Sequence, residues 1–404
     1  MIVHFWDLPE NRNYIILKEK FKNKLIKILK NKKYPFKLKN KIKIGKIRIK
    51  KLIEVSKKEK IILNIIEKNI IWVGGNNSKG LSNPKLPFNF KTRKGARFIA
   101  AIINDGTLTK EGSSYGRLMY DNFDKSLRES VIKDYLIIFG GKKDEIAFRN
   151  TEKKKYLEFS SVIRDVIEIV IKNKGPKTES NIKLPDFVLK DKECMLGWIE
   201  QTIADEGEVK FYPNKYRRAI VWRRSLDITN IMGERKAKDT PLRRLPLKIQ
   251  ELVQSQKLNL IESEKKILDS MSIKYKLYNL GLYITTKNKI RTRWQINIAG
   301  RENLLKLRKL IKIPSLEKDS KFHKIILGYT RYKEPLKIKE NIINLGKNKK
   351  NFTSLDLKKI MNYKETNTAI KWLKKFEHEG FIKKIKESSY GEGVYRKPAE
   401  YKII

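Results

Sequence analysis

Two carboxylates stand at matching places in two short, similar stretches. Asp105 closes Arg97-Phe98-Ile99-Ala100-Ala101-Ile102-Ile103-Asn104-Asp105-Gly106, and Glu206 closes Trp198-Ile199-Glu200-Gln201-Thr202-Ile203-Ala204-Asp205-Glu206-Gly207. Each stretch reads as a turn or two of apolar helix, an acid, a glycine, and then a strand-like alternation. The last turn of a helix exposes unpaired carbonyls and the negative end of the dipole, which disfavours a carboxylate there by on the order of a few tenths of a kcal/mol. An acid so placed twice predicts a cation at that point, and Gly106 and Gly207 are expected to end the helices in the left-handed cap. One cysteine, Cys194, and three scattered histidines, His4, His323 and His378, cannot make a zinc site of the usual kind. A metal here would be held by carboxylate oxygens, which points to Mg²⁺.

The elements that must position the acids also occur twice. After Gly106 come two strand-like runs, a helix over Phe123 to Phe139, two more strands, and a helix over Ser161 to Ile171; the same order follows Gly207 and ends in a helix over Glu302 to Ile311. A period of about a hundred residues is too long for a solenoid and reads as an internal pseudo-dimer. Two such copies bring the acid-ended helices together about an approximate two-fold axis.

On Phe98 to Gly106 and Ile199 to Gly207, each followed by strand-strand-helix-strand-strand-helix, the chain resembles the LAGLIDADG (dodecapeptide) homing endonucleases in their single-chain form, over roughly residues 90 to 325. The resemblance implies an α+β fold of two pseudo-symmetric αββαββα repeats. It also implies metal binding and catalysis at Asp105 and Glu206. Where the family carries small residues between its helices, Ala100 is small, whereas Asn104, Gln201 and Asp205 are polar. Near the end of each repeat's last strand, where the family carries a basic residue, stand Ser160-Ser161 and Ala299-Gly300, with Arg301 nearest.

The 404 residues allow two or three domains. The divisions read as a basic, helical or extended region over 1–90, a first repeat over 91–200, a second over 201–328 with its motif helix beginning near 193, and a winged helix-turn-helix over 333–404. A net charge of +48 draws polyanions, nucleic acid above all, although a Lys/Ile/Asn-rich proteome accounts for part of it. No apolar run is long enough to span a bilayer, and Asp7 and Glu10 interrupt any signal-like start, so an intracellular, cytoplasmic protein is expected.

In the N-terminal region, Asn13 to Lys30 has helical periodicity, Lys32 to Lys51 alternates basic and apolar residues as in Lys41-Ile42-Lys43-Ile44, and Ser56 is placed to cap a helix to Lys68. A phosphate-tracking arm and a packed domain with a lysine surface are equally compatible with this pattern. Gly74 to Gly80 lacks the Lys-Ser/Thr pair of a phosphate loop and reads as a turn.

The strands suggest a nucleic-acid-reading face. In the first repeat, Leu108 opposes Thr107, Thr109 and Glu111, and Arg117 and Met119 alternate with Leu118 and Tyr120. In the second, Val209 and Phe211 face inward, leaving Glu208, Lys210 and Tyr212 outward, and Ile220, Trp222, Leu226 and Ile228 leave Arg223 and Ser225 outward. In Arg291 to Ile298, the core side is Trp294, Ile296 and Ile298, so Arg291, Arg293, Gln295 and Asn297 share the exposed side. Arginine pairs bidentately with guanine, and glutamine or asparagine with adenine, in the major groove.

Near the C-terminus, a helix over Lys337 to Leu345, a helix capped by Thr353 or Ser354, a turn over Asn362 to Asn367, an amphipathic helix over Ala369 to Glu379, and a glycine-bearing hairpin resemble a winged helix. Lys364, Thr366, Asn367 and Lys371 would then start the recognition helix, and Tyr395, Arg396 and Lys397 the wing.

If the motif helices meet, two carboxylates a few ångströms apart require protonation or a cation. Two Mg²⁺ ions meet that need, one per scissile phosphate, and Asn104, Gln201, Asp205 and Lys210 are the polar groups near enough to orient water. The expected activity is Mg²⁺-dependent double-strand cleavage of duplex DNA by a monomer. The alternatives are a non-catalytic DNA-binding regulator on the same fold and an RNA-splicing maturase, with RNA as partner. The ends Met1-Ile2 and Ile403-Ile404 speak against an intein.

Overall fold

The two motif helices, Arg93–Asp105 and Lys192–Glu206, lie against each other. Thr92 caps the first by accepting the Gly95 N–H, and Asp191 caps the second by accepting the Cys194 N–H. Their middles are buried on nearly every side, the second helix carrying Glu200, Gln201 and Thr202 among its buried residues. The backbones approach closely at Gly197, where a Cβ would lie 2.0 Å from the Arg93 carbonyl oxygen. Beside that crossing, buried Glu200 accepts from the Arg93 guanidinium at 2.6 Å, and Arg97 makes a bidentate pair with buried Asp134 at 2.5 and 2.6 Å.

Neither helix ends in a left-handed residue. Gly106 (φ −80°, ψ 158°) and Gly207 (φ −84°, ψ 152°) are extended, and both donate their N–H back into the helix, to Ile102 and Ile203. Glycine is required for room instead of for a positive φ. A Cβ would sit 2.5 Å from the Ile102 carbonyl oxygen at Gly106, and 2.4 Å from that of Ile203 at Gly207.

The computed structural model describes residues 1–31, 45–75, 79–108, 117–152, 154–172, 181–212, 217–232, 241–330, 335–363, 365–390 and 396–404. Lys364, Thr109, Glu111, the Lys41–Ile44 alternation, Asn76 to Ser78, and the wing tip with Gly391, Gly393 and Tyr395 lie outside the described residues. The chain divides into two compact units, Met1–Ile326 and Leu327–Ile404. No described helix is long and apolar enough to cross a membrane.

Each motif helix runs directly into a four-stranded antiparallel sheet. The first comprises Gly106–Leu108, Leu118–Asp121, Ala147–Thr151 and Lys154–Phe159; the second comprises Gly207–Tyr212, Arg217–Asp227, Lys276–Ile284 and Ile290–Ala299. In both, the spatial order is first, second, fourth, third. The helices Lys125–Phe139 and Ser161–Ile171 complete the first half. In the second, Thr229–Met232, Leu247–Ser255 and Asn259–Ser270 stand between the strand pairs, and Arg301–Leu310 follows the sheet. The result is a mixed α+β unit in which the helices cover the apolar faces of antiparallel sheets.

The described part of the N-terminal region is packed, within the same compact unit as the two sheets. Tyr14–Leu17 is a strand where helical spacing suggested a helix, because Ile15 and Leu17 bury on one face with period two; the helix begins only at Glu19 and runs to Asn31. The strand joins Ile47–Arg48, Ile70–Gly74 and Leu81–Ser82 in one sheet. Ser56 caps nothing. It lies inside the helix Ile49–Lys58, and its hydroxyl donates to the Ile61 carbonyl at 2.6 Å. The region is fastened to the first repeat by Arg12 and Asn13, both of which donate to the buried carboxylate of Asp165 on Ser161–Ile171.

The second unit holds the helices Pro335–Asn348, Ser354–Met361 and Thr366–His378, a three-stranded sheet ordered Phe352–Thr353, Glu400–Ile403, Ile382–Lys386, and the strand pair Ser389–Tyr390 with Arg396–Lys397. Ile338, Ile342, Leu357, Leu373, Phe376 and Tyr401 are among the residues of its core. Thr353 and Asp356 form a reciprocal capping box at the expected helix start. Thr353→Ala should lower the stability of this unit by about 1 kcal/mol. Faster amide exchange over Leu357 to Met361 in the intact chain, with exchange in the motif helices unchanged, is the expected readout.

Candidate functional site

At the far end of the helix pair, matched residues touch. Asn104 donates from Nδ2 to Asp205 Oδ2 at 3.2 Å, so the two motif helices meet side by side at their acid-bearing ends. Asp205 also accepts the Tyr120 hydroxyl on Oδ1 at 2.7 Å and the Gln201 amide at 2.9 Å. Burial and the nearby charge of Asp105 push the Asp205 carboxyl well above the usual carboxylate range, against the pull of these three donors. The Tyr120 phenol is pushed above its ordinary value by burial first and then by Asp205.

Asp105 and Glu206 sit one residue further on, Asp105 half-buried and Glu206 exposed. The Asn122 amide donates to Asp105 Oδ2 at 2.7 Å, and Arg224 Nη1 lies 3.5 Å from Glu206 Oε1. These two partners come from equivalent places. In the first sheet Tyr120 pairs with Gly106, in the second Trp222 pairs with Gly207, and Asn122 and Arg224 each stand two residues beyond.

Arg224 is buried on the core side of its strand. Nη1 donates to Asn104 Oδ1 at 2.8 Å, Nη2 to Thr202 Oγ1 at 3.3 Å, and Nε and Nη2 to Glu264 Oε1 at 3.1 and 2.6 Å. Glu264, on Asn259–Ser270, is fully buried and accepts the indole N–H groups of Trp222 at 2.8 Å and Trp198 at 3.4 Å. Another cation sits on the end of the second motif helix. Lys318 Nζ donates to the Ala204 carbonyl at 2.6 Å, with the Ile203 and Asp205 carbonyls at 3.4 and 3.5 Å. Burial draws its ammonium below the ordinary lysine range, while the charges of Asp205, Asp105, Asp124 and Glu206 support it.

Every acidic donor at this end is a carboxylate oxygen, the chemistry that suits a hard divalent cation. No cluster of three metal-ligating side chains exists among the described residues. Mg²⁺ can be held by one or two carboxylates together with substrate phosphates and water. Asp105 and Glu206 would be the side chains to hold it.

The four residues read as a reading face lie on one strand of the second sheet, Ile290–Ala299. Arg291, Arg293, Gln295 and Asn297 are half-buried and alternate with buried Thr292, Ile296 and Ile298. Arg223 lies opposite Gln295 and donates to it at 3.1 Å; Ser225 lies opposite Arg293, whose guanidinium stacks 4.0 Å over the Tyr283 ring. Trp294, expected in the core, is half-buried. Lys210 lies 3.4 Å from Glu208, and exposed Arg117 lies 3.4 Å from Glu158 in the first sheet. Asn104, Gln201 and Asp205 are tied to one another, with Gln201 fully buried. In the second unit Asn367, Lys371 and Lys397 are exposed, and Arg396 lies in the strand opposite Tyr390.

Asn122, Tyr120, Arg224, Glu264 and Lys318 escaped the sequence reading. Arg224 alone left a trace there, as a charge in a core register between Trp222 and Leu226.

No family model and no curated protein matches the chain. Among solved structures, the homing endonuclease I-WcaI bound to its DNA recognition sequence aligns over 55% of this chain and 81% of its own, at 11% identity and a TM-score of 0.29.

Tyr120→Phe removes one of three donors to the buried Asp205 carboxyl. A loss of about 1 kcal/mol is expected for a hydrogen bond to a carboxyl whose charged form is disfavoured. It should be read as a lower denaturation midpoint with unchanged far-ultraviolet circular dichroism.

Proposed function

We propose that the chain is a site-specific DNA-binding protein of the homing-endonuclease type, which cuts both strands of a duplex at the joined ends of its two motif helices. The observation that carries this reading is the Asn104–Asp205 contact, which brings acid-bearing ends from both halves together. Asp105 and Glu206 hold Mg²⁺, with Asn122 and Arg224 orienting them. When bound, the ion supplies the Lewis acidity that phosphodiester hydrolysis requires.

The two halves act as pseudo-symmetric repeats within one monomer. Arg223, Ser225, Arg291, Arg293, Gln295 and Asn297 present a major-groove reading face on one side of the second sheet. The Leu327–Ile404 unit acts as a winged helix, with Asn367 and Lys371 on the recognition helix and Lys397 in the wing. A second reading, a DNA-binding regulator that does not cut, is favoured by one specific observation: Arg224 and Lys318 already bring positive charge to the acids.

Incubation with Mg²⁺ and a randomised duplex library separates the two. The nuclease reading expects selected duplexes to be cut on both strands, with cleavage reduced at least roughly a hundredfold by Asp105→Asn or Glu206→Gln and binding retained. Tight, selective binding by the wild type without cleavage would instead establish the regulator. In either case the logarithm of the binding constant should fall steeply and linearly with the logarithm of salt concentration.

A further inference from the structure

The reading of Asp105 and Glu206 as a metal centre does not account for the charge on Arg224. The two acids have partners at the same strand position, but the first is a neutral amide, Asn122, and the second a guanidinium. Arg224 has no freedom to retreat. Its Nε and Nη2 are held by Glu264, which is buried beneath two tryptophan indoles, and its remaining Nη1 is left directed at Asn104 and Glu206. A guanidinium and a divalent cation seek the same carboxylate oxygens and repel each other.

We propose that Arg224, fixed by Glu264, is a positioning residue that competes with the divalent cation for Glu206: it holds the carboxylate before the ion binds and weakens the ion's binding at that end. Lys318, on the carbonyls of residues 203 to 205, adds positive charge in the same sense. The inference rests on the metal-centre reading given above. One unit charge about 6 Å from a divalent ion, in a dielectric close to that of water, changes its affinity roughly tenfold.

The test is Mn²⁺ binding to the full chain without DNA, followed by electron paramagnetic resonance of the free ion and by calorimetry. Binding at each end is identified by its loss in Glu206→Gln or Asp105→Asn. Arg224→Asn combined with Glu264→Gln leaves no buried acid unpaired and retains an amide oxygen as acceptor for one of the two indoles. It should tighten Mn²⁺ binding at Glu206 by roughly tenfold. The converse variant, Asn122→Arg, places the guanidinium beside Asp105 and should weaken binding there by a similar factor. Unchanged or weaker binding at Glu206 in the folded double variant overturns the inference while leaving the metal centre intact. If the double variant does not fold, unchanged affinity in Asn122→Arg overturns it. Absence of any Mn²⁺ binding sensitive to Asp105→Asn or Glu206→Gln would instead refute the metal centre, and the inference with it.

Discussion

Two helices that carry acids at their C-terminal ends can lie side by side only if the charge gathered there is answered. The structure answers it in several ways at once. Asp205 is surrounded by donors from both halves, Arg224 is brought in from beneath the second sheet, and Lys318 neutralises the exposed carbonyls of the second helix. Ions buried without partners would cost several kcal/mol each, so this network is a condition of the packing as much as a feature of the chemistry.

Much of the rest of the unit follows from that requirement. The strand after each motif helix must return close enough to supply Asn122 or Arg224, and the extended glycines make the turn tight enough to do so. Glu264 must be buried if Arg224 is to be held, and the two indoles satisfy its oxygens. At the other end of the pair, Glu200 and Asp134 neutralise Arg93 and Arg97 in the same manner.

The two motif helices, each running through an acid and a glycine into a strand, were legible because their signals are local. An apolar helix, an acid, a glycine and an alternating strand can each be recognised from neighbouring residues, and the shared register of Arg291, Arg293, Gln295 and Asn297 follows from simple alternation. The cap of Thr353 was legible for the same reason. What escaped depends on distance along the chain. Lys318 acts on residue 204 from more than a hundred positions away, and nothing in its own surroundings announces this. Tyr14–Leu17 was mistaken for helix because its buried residues also fit a helical stripe in a longer window, and only pairing with Ile70–Gly74 decides between them. Gly106 and Gly207 were identified as special, but for the wrong physical reason: the backbone needed space rather than a positive φ.

Gly197 lies nine residues before Glu206, about 13 Å along the helix at 1.5 Å per residue. The helices are pinned at that point, where no side chain fits between the backbones. The pair therefore resembles a pair of tongs, with its rivet at one end and its tips at the other. A small rotation at the rivet becomes a larger displacement of the tips, so the separation of the two acids is governed from a place remote from both of them.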